Sequence, residues 1–197
     1  TLKRIKQGGA LANLMVTPAA GGPRSSLKEF RRGNRVLIAA GGADYMEELA
    51  RSLNADQRAD DNTLPAAIAA ADVMVVPVLL ESVQKESVVL GNAQVSYRGT
   101  ESQPGDRNFD LTRADGVIAF PIGDSAWAEY LQPELETAQS QGFDVLKKGV
   151  CIIIKKNGRI LRRATGQPQW SGLLGTMEVL DGSKFGMPGD SEKYGGP

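Results

Sequence analysis

Residues 149 to 166, Gly-Val-Cys-Ile-Ile-Ile-Lys-Lys-Asn-Gly-Arg-Ile-Leu-Arg-Arg-Ala-Thr-Gly, read as an apolar strand, a turn and a basic return strand. The run Val150 to Ile154 is too apolar and β-branched for a solvent-facing element, so it belongs inside a sheet. Asn157-Gly158 supplies the residue pair that a type I′ hairpin turn demands, with both central residues at positive φ. A buried strand must pair on both sides, so the hairpin calls for a larger sheet earlier in the chain.

The rest of the chain supplies one. Arg35 to Ala40 is a short apolar strand, Gly41-Gly42 a turn, and Asp44 to Leu53 a helix with Met46, Leu49, Ala50 and Leu53 on one face. Leu64 to Ala71 reads as a second short helix. Val73 to Leu80 is a near-continuous apolar strand of the kind covered on both faces. Gly116 to Pro121 is a further strand. A helix follows from Asp124 or Ser125 to about Gln141, broken or bent near Pro133, with Trp127, Tyr130, Leu131 and Leu135 buried.

Three segments fit this plan poorly. Residues 1–34 hold Gly8-Gly9, Pro18 and Gly21-Gly22-Pro23 and read as an extended basic arm. Residues 81–115 read as an insertion in a domain spanning 35–175, with a strand pair around Val88 to Tyr97. Residues 176–197 form a glycine-rich irregular tail.

Composition narrows the chemistry. The 197 residues include one cysteine and no histidine, which excludes an internal disulfide, a paired-thiolate zinc site and triad catalysis with a histidine base. The apolar runs fall far short of the ~20 residues that cross a bilayer. Net charge is zero, yet Lys3, Arg4, Lys6, Arg24, Lys28, Arg31, Arg32 and Arg35 crowd the opening segment, and Lys155, Lys156, Arg159, Arg162 and Arg163 crowd the hairpin. Such polarity suits an oriented contact with an anionic protein or lipid surface; solvated arms and an exposed strand face explain it equally. Nucleic acid is the weakest partner, because the cations lack interleaved aromatics.

Each candidate site has a structural competitor. Gly41-Gly42 before a helix is read as a turn rather than a phosphate cradle, since Asp44 would repel an anion there. Cys151 in a central strand is read as a small buried hydrophobe rather than a thiolate. Trp170, beyond Gln167-Pro168-Gln169, either closes the core behind the hairpin or anchors a partner.

The order strand, helix, strand, helix, hairpin, short helix is similar to the thioredoxin-like fold: a mixed sheet with a βαβ unit and a C-terminal β-hairpin, here with an N-terminal arm and a C-terminal tail. In that fold the active site lies between the first strand and its helix. Ala40-Gly41-Gly42-Ala43-Asp44 stands there without a Cys-x-x-Cys, and Gly149 stands where such proteins carry a cis-proline.

More narrowly, Gly142-Phe-Asp-Val to Gly149, and then Ile153 to Trp170, resemble the soluble C-terminal region of the Low PSII Accumulation family, chloroplast and cyanobacterial proteins of photosystem II assembly. Weaker matches are Arg35 to Ala40, Val73 to Val78 with Pro77, and Trp127. Members of that family carry helical repeats and two membrane helices ahead of this region, and this sequence has neither.

The resemblance implies a chloroplast protein lying peripherally on the stromal side of the thylakoid membrane. It would dock on core subunits of a photosystem as an assembly factor or a permanent subunit: photosystem II by resemblance, photosystem I as the alternative. Anionic thylakoid lipid would be a further contact. The expectation is a chain that is not an enzyme, without cofactor, metal or small-molecule substrate, whose contact residues are Arg31, Arg32, Lys155, Arg159, Arg162, Arg163 and Trp170. The competing expectation is a single-cysteine thioredoxin-like oxidoreductase or peroxidase acting through Cys151.

Overall fold

The computed structural model describes residues 2–55, 63–91 and 111–180. Its centre is a five-stranded sheet. We number the strands β1 Met15–Pro18, β2 Ser25–Ser26, β3 Arg35–Gly41, β4 Val73–Gln84, β5 Ser87–Leu90, β6 Ala119–Ile122, β7 Val150–Ile154 and β8 Ile160–Thr165. The helices are α1 Leu2–Asn13, α2 Leu27–Phe30, α3 Ala43–Asn54, α4 Leu64–Ala70, α5 Asp124–Ser140, α6 Val145–Lys148 and α7 Trp170–Leu180, with a 3-10 helix at Thr112–Val117.

Sheet order is β5-β4-β3-β7-β8, with β4 parallel to β3 and β7 antiparallel to it. A βαβ unit flanked on its inner side by a hairpin is the thioredoxin-like arrangement, so the fold read from the sequence is the fold observed. Strand alternation divides the core in two. Leu37, Ala39, Val73, Val75, Cys151 and Ile153 face α3 and α4. Val36, Ile38, Ala40, Val76, Val78, Val150, Ile152 and Ile154 face α5 and the N-terminal elements.

Pro77 sits in β4 without breaking it. Below it Val75 bridges Ile118, and above it Leu80 pairs with Leu90, so the missing N–H falls where β4 changes its outer neighbour.

Four expectations need correction. The segment 1–34 is not an extended arm: α1, β1, β2 and α2 fill most of it. Leu11, Leu14, Val16 and Leu27 are buried with Trp127 and Leu131, and β1 pairs along β6 in a second sheet of order β2-β1-β6. Burial of four apolar side chains outweighs the roughly 1 kcal/mol that each of Gly8 and Gly9 costs a helix. Helix α5 runs unbroken through Pro133.

The insertion is built into the sheet at its start. β5 folds back on the extension of β4, pairing Val88 with Val83; the remainder of the expected strand pair, toward Tyr97, lies outside the described residues with the rest of 92–110. At the other end, α7 reaches Leu180, past the expected start of the tail at 176, and the tail from 181 lies outside the described residues.

The hairpin turn is also different in kind. Gly158 has φ +84°, but Asn157 does not have positive φ, so this is not a type I′ turn. Gly158 N–H donates to Lys155 O at 2.8 Å and Lys155 N–H to Arg159 O at 2.9 Å. That pattern is a type I turn closed by a left-handed glycine, a three-residue loop. Asn157 Oδ1 accepts from Arg159 N–H at 3.0 Å, and the pairing of β7 with β8 shifts by one residue between Ile153 and Ile154.

Candidate functional site

The two ends of the sheet have different chemistry. At the end where β3 finishes, the position in which thioredoxin-like proteins keep their active site is filled by Tyr45. Gly41 and Gly149, neighbours on adjacent strands, both lie against its ring, and a Cβ on either would overlap ring atoms. Tyr45 is 1% exposed; its hydroxyl donates to Gly166 O at 3.1 Å, and its own carbonyl accepts from Gln167 Nε2 at 2.8 Å. The amide of Gly42 donates to Leu146 O at 2.7 Å. Gly41-Gly42 is therefore a structural turn, as read, with one of its amides already bonded and the space above it closed by an aromatic ring.

The sequence reading missed this tyrosine. It assigned the buried face of α3 from Met46 onward and treated Gly41 and Gly149 as separate features. Two glycines under one aromatic are the signal, and only the register of β7 against β3, Ala40 opposite Val150, brings them together.

Cys151 shares the cluster that holds Tyr45. Burial pushes its thiol up to about 12, with the Arg162 guanidinium lowering it by less. It is a small core side chain, as the sequence suggested. Burial also raises the phenols of Tyr45, with Cys151 and Glu48 adding to it, and of Tyr130, where Glu134 adds and Arg163 opposes.

These shifts fix a sign. The folded state holds Cys151 protonated from its ordinary 9.0 up to about 12, while the unfolded chain releases the proton near 9. The full contribution is present below pH 9 and is lost as pH rises toward 12, and both tyrosines act in the same direction. The expected result is a urea midpoint that is flat up to about pH 9 and falls above it. A Cys151→Ala variant should show a shallower fall.

At the opposite end, where β3 starts, the structure brings the two basic segments together. A Cβ on Gly158 would overlap the Arg31 guanidinium, so the segment before β3 packs directly on the hairpin turn. Lys155, Lys156 and Arg159 belong to that turn. Arg32 and Arg159 are exposed, and Lys156 Nζ pairs with Asp72 Oδ2 at 2.8 Å.

Arg35 does not join this surface. It is 4% exposed, donates through its guanidinium to Ala71 O, and is part of the fold.

The remaining candidates lie elsewhere. Arg162 and Arg163 alternate to opposite faces of β8, and Arg163 Nε donates to both Glu134 oxygens at 2.9 Å. Trp170, at the start of α7, is half-buried against the Tyr45 cluster. Of the seven contact candidates, then, Arg31, Arg32, Lys155 and Arg159 share one end of the sheet, while Arg162, Arg163 and Trp170 are spread along β8 and beyond it. Among the described residues no group of His, Cys, Asp and Glu is placed to hold a metal ion, and no helix is long and apolar enough to cross a membrane.

No family model and no curated protein matches the chain. Solved structures do. A mitochondrial 2-Cys peroxiredoxin from Plasmodium falciparum aligns at 8% identity and TM-score 0.47, covering 88% of this chain and 92% of that one. Thioredoxin peroxidase I from Plasmodium yoelii aligns at 11% and 0.46, covering 88% and 89%. A thioredoxin-like protein from Aeropyrum pernix aligns at 11% and 0.44, covering 90% and 94%. The likeness is one of layout and assigns no residue a role. It corrects one expectation. The sequence is read above as that of a chain that is not an enzyme, whereas two of these three neighbours bear the names peroxiredoxin and thioredoxin peroxidase.

Proposed function

We propose that this thioredoxin-like domain docks through its basic end on the stromal face of a photosystem complex in the chloroplast, as an assembly factor or a stable small subunit. The observation that carries the reading is the packing of Arg31 on the Gly158 turn, which merges two basic segments more than a hundred residues apart in sequence into one surface. The block from Gly142 to Trp170, through its resemblance to the Low PSII Accumulation family, supports a photosystem as the partner, with photosystem II ahead of photosystem I. An acidic stromal loop is the complementary surface, and anionic lipid beside it would add to the attraction.

The test is native purification of thylakoid complexes followed by mass spectrometry. The chain is expected to travel with a photosystem complex at low salt and to leave it as ionic strength rises. Charge reversal at both Arg31→Glu and Arg159→Glu should weaken association about tenfold or more. Recovery of the wild-type chain wholly in the stromal fraction would sink the reading.

A second reading is a single-cysteine thioredoxin-like oxidoreductase or peroxidase working through Cys151. Arg162 favours it, being the one charge that lowers the thiol pKa against burial. Its signature would be a peroxide-dependent activity that disappears in Cys151→Ser.

A further inference from the structure

β8 ends the five-stranded sheet, and among the described residues no strand pairs with its outer side. Gly166 N–H donates to Gly149 O at 3.0 Å, and the register sets Thr165 opposite Val150 and Arg163 opposite Ile152. Bonded and non-bonded pairs alternate in an antiparallel ladder. Ala164 and Arg162 therefore bond inward to β7, while Arg163 and Thr165 turn their N–H and C=O groups outward.

Beside this edge runs a groove of about 580 Å³ between α5 and β8, lined among others by Thr137, Phe143, Arg163 and Thr165. Arg163 uses Nε on Glu134, which leaves its terminal nitrogens, with their four N–H donors, directed to no bond among the described residues. Arg162 is exposed on the other face, and Arg159 stands just before the strand.

We infer that β8 takes up an extended acidic segment of a partner protein as a sixth strand. The outward backbone groups of Arg163 and Thr165 would supply the ladder, the groove would receive side chains on one face, and Arg162 and Arg163 would meet carboxylates on both. Opposite charges across a strand pair stabilise it, and like charges opposite one another destabilise it. That disfavours a second copy of this chain, which would bring its own arginines to an edge that already carries two. The inference deepens the docking reading and rests on it for the nature of the partner.

The experiment titrates the full chain with a labelled peptide of paired glutamates and paired valines, which sets carboxylates on both faces of a strand, and with a control in which lysine replaces glutamate. Fluorescence anisotropy reads binding, and amide hydrogen exchange reads the site. The acidic peptide is expected to bind, the basic one not to, and protection should rise at Arg163 and Thr165 rather than at Arg162 and Ala164.

Thr165→Pro removes one outward N–H, changes no charge and is of a kind that edge strands tolerate, so it should weaken binding about tenfold or more. Circular dichroism checks that this variant folds, and the exchange result on the native chain stands without it. No binding of the acidic peptide, or binding with unchanged exchange at Arg163 and Thr165, overturns the inference.

The two readings fail separately. A Thr165→Pro chain that keeps its full hold on the thylakoid complex, while Arg31→Glu with Arg159→Glu does not, removes strand addition and leaves docking. A wild-type chain that binds the peptide but no thylakoid complex does the reverse.

Discussion

Replacing Gly149 with alanine is expected to destabilise the fold by about 3 kcal/mol or more, measured as a lowered urea midpoint at unchanged slope. Two effects act at one atom. Gly149 has φ +72°, where an L side chain is strained, and the new Cβ would run into the Tyr45 ring. The ring is held in place, because it is packed in the buried cluster under the sheet and its hydroxyl is tied to Gly166 O. Gly166→Ala is the control. Its φ of +95° is as unfavourable, but the nearest atom to an added Cβ is Lys148 Cε at 4.0 Å, so about 1 to 2 kcal/mol is expected. Equal losses at the two sites would mean that backbone strain alone governs them, and the account of Tyr45 packed directly on two glycines would fall.

The same residues show what could be read from the sequence. Apolar runs with period two or none identified β3, β4 and β7, and the period-3.6 face of Met46, Leu49 and Leu53 identified α3, because each signal lies within one element. The Tyr45 arrangement escaped because its members, Gly41, Tyr45, Gly149 and Gly166, sit on different elements and meet only through strand register.

The N-terminal segment was misread for a related reason. Its glycines are a local signal for irregular chain, while the burial of Leu11, Leu14 and Val16 beneath α5 is a tertiary effect that overrides it. The hairpin was legible as a hairpin but not in its turn type: Asn-Gly fits both a two-residue loop and the three-residue loop with a left-handed glycine, and the offset pairing of Ile154 with Ile160 selects the second. For the candidate site, the charges were legible and their grouping was not. Arg31 and Arg159 converge, whereas Arg162 and Arg163, neighbours in sequence, point to opposite faces.

The sharpest result expected of the protein concerns Cys151. Going from 9.0 to about 12 lowers the thiolate fraction at neutral pH about a thousandfold, and only the thiolate attacks a disulfide reagent or a peroxide. Restricted access slows the reaction further, since the residue is 2% exposed in the middle of a strand paired on both sides. The higher intrinsic nucleophilicity of a high-pKa thiolate offsets part of this loss, so labelling of the native chain by an aromatic disulfide at about pH 7 should be about a hundredfold slower, or more, than labelling of the urea-unfolded chain. Urea below the unfolding transition should accelerate it only as far as it populates open states. Arg162→Ala separates charge from burial. Removing the one cation that lowers the thiol should slow native labelling a little if the side chain reacts in place, and leave it unchanged if reaction needs the sheet to open. Fast native labelling that Arg162→Ala slows would mean that Arg162 outweighs burial, and would move the weight of function from the basic end of the sheet to this thiol.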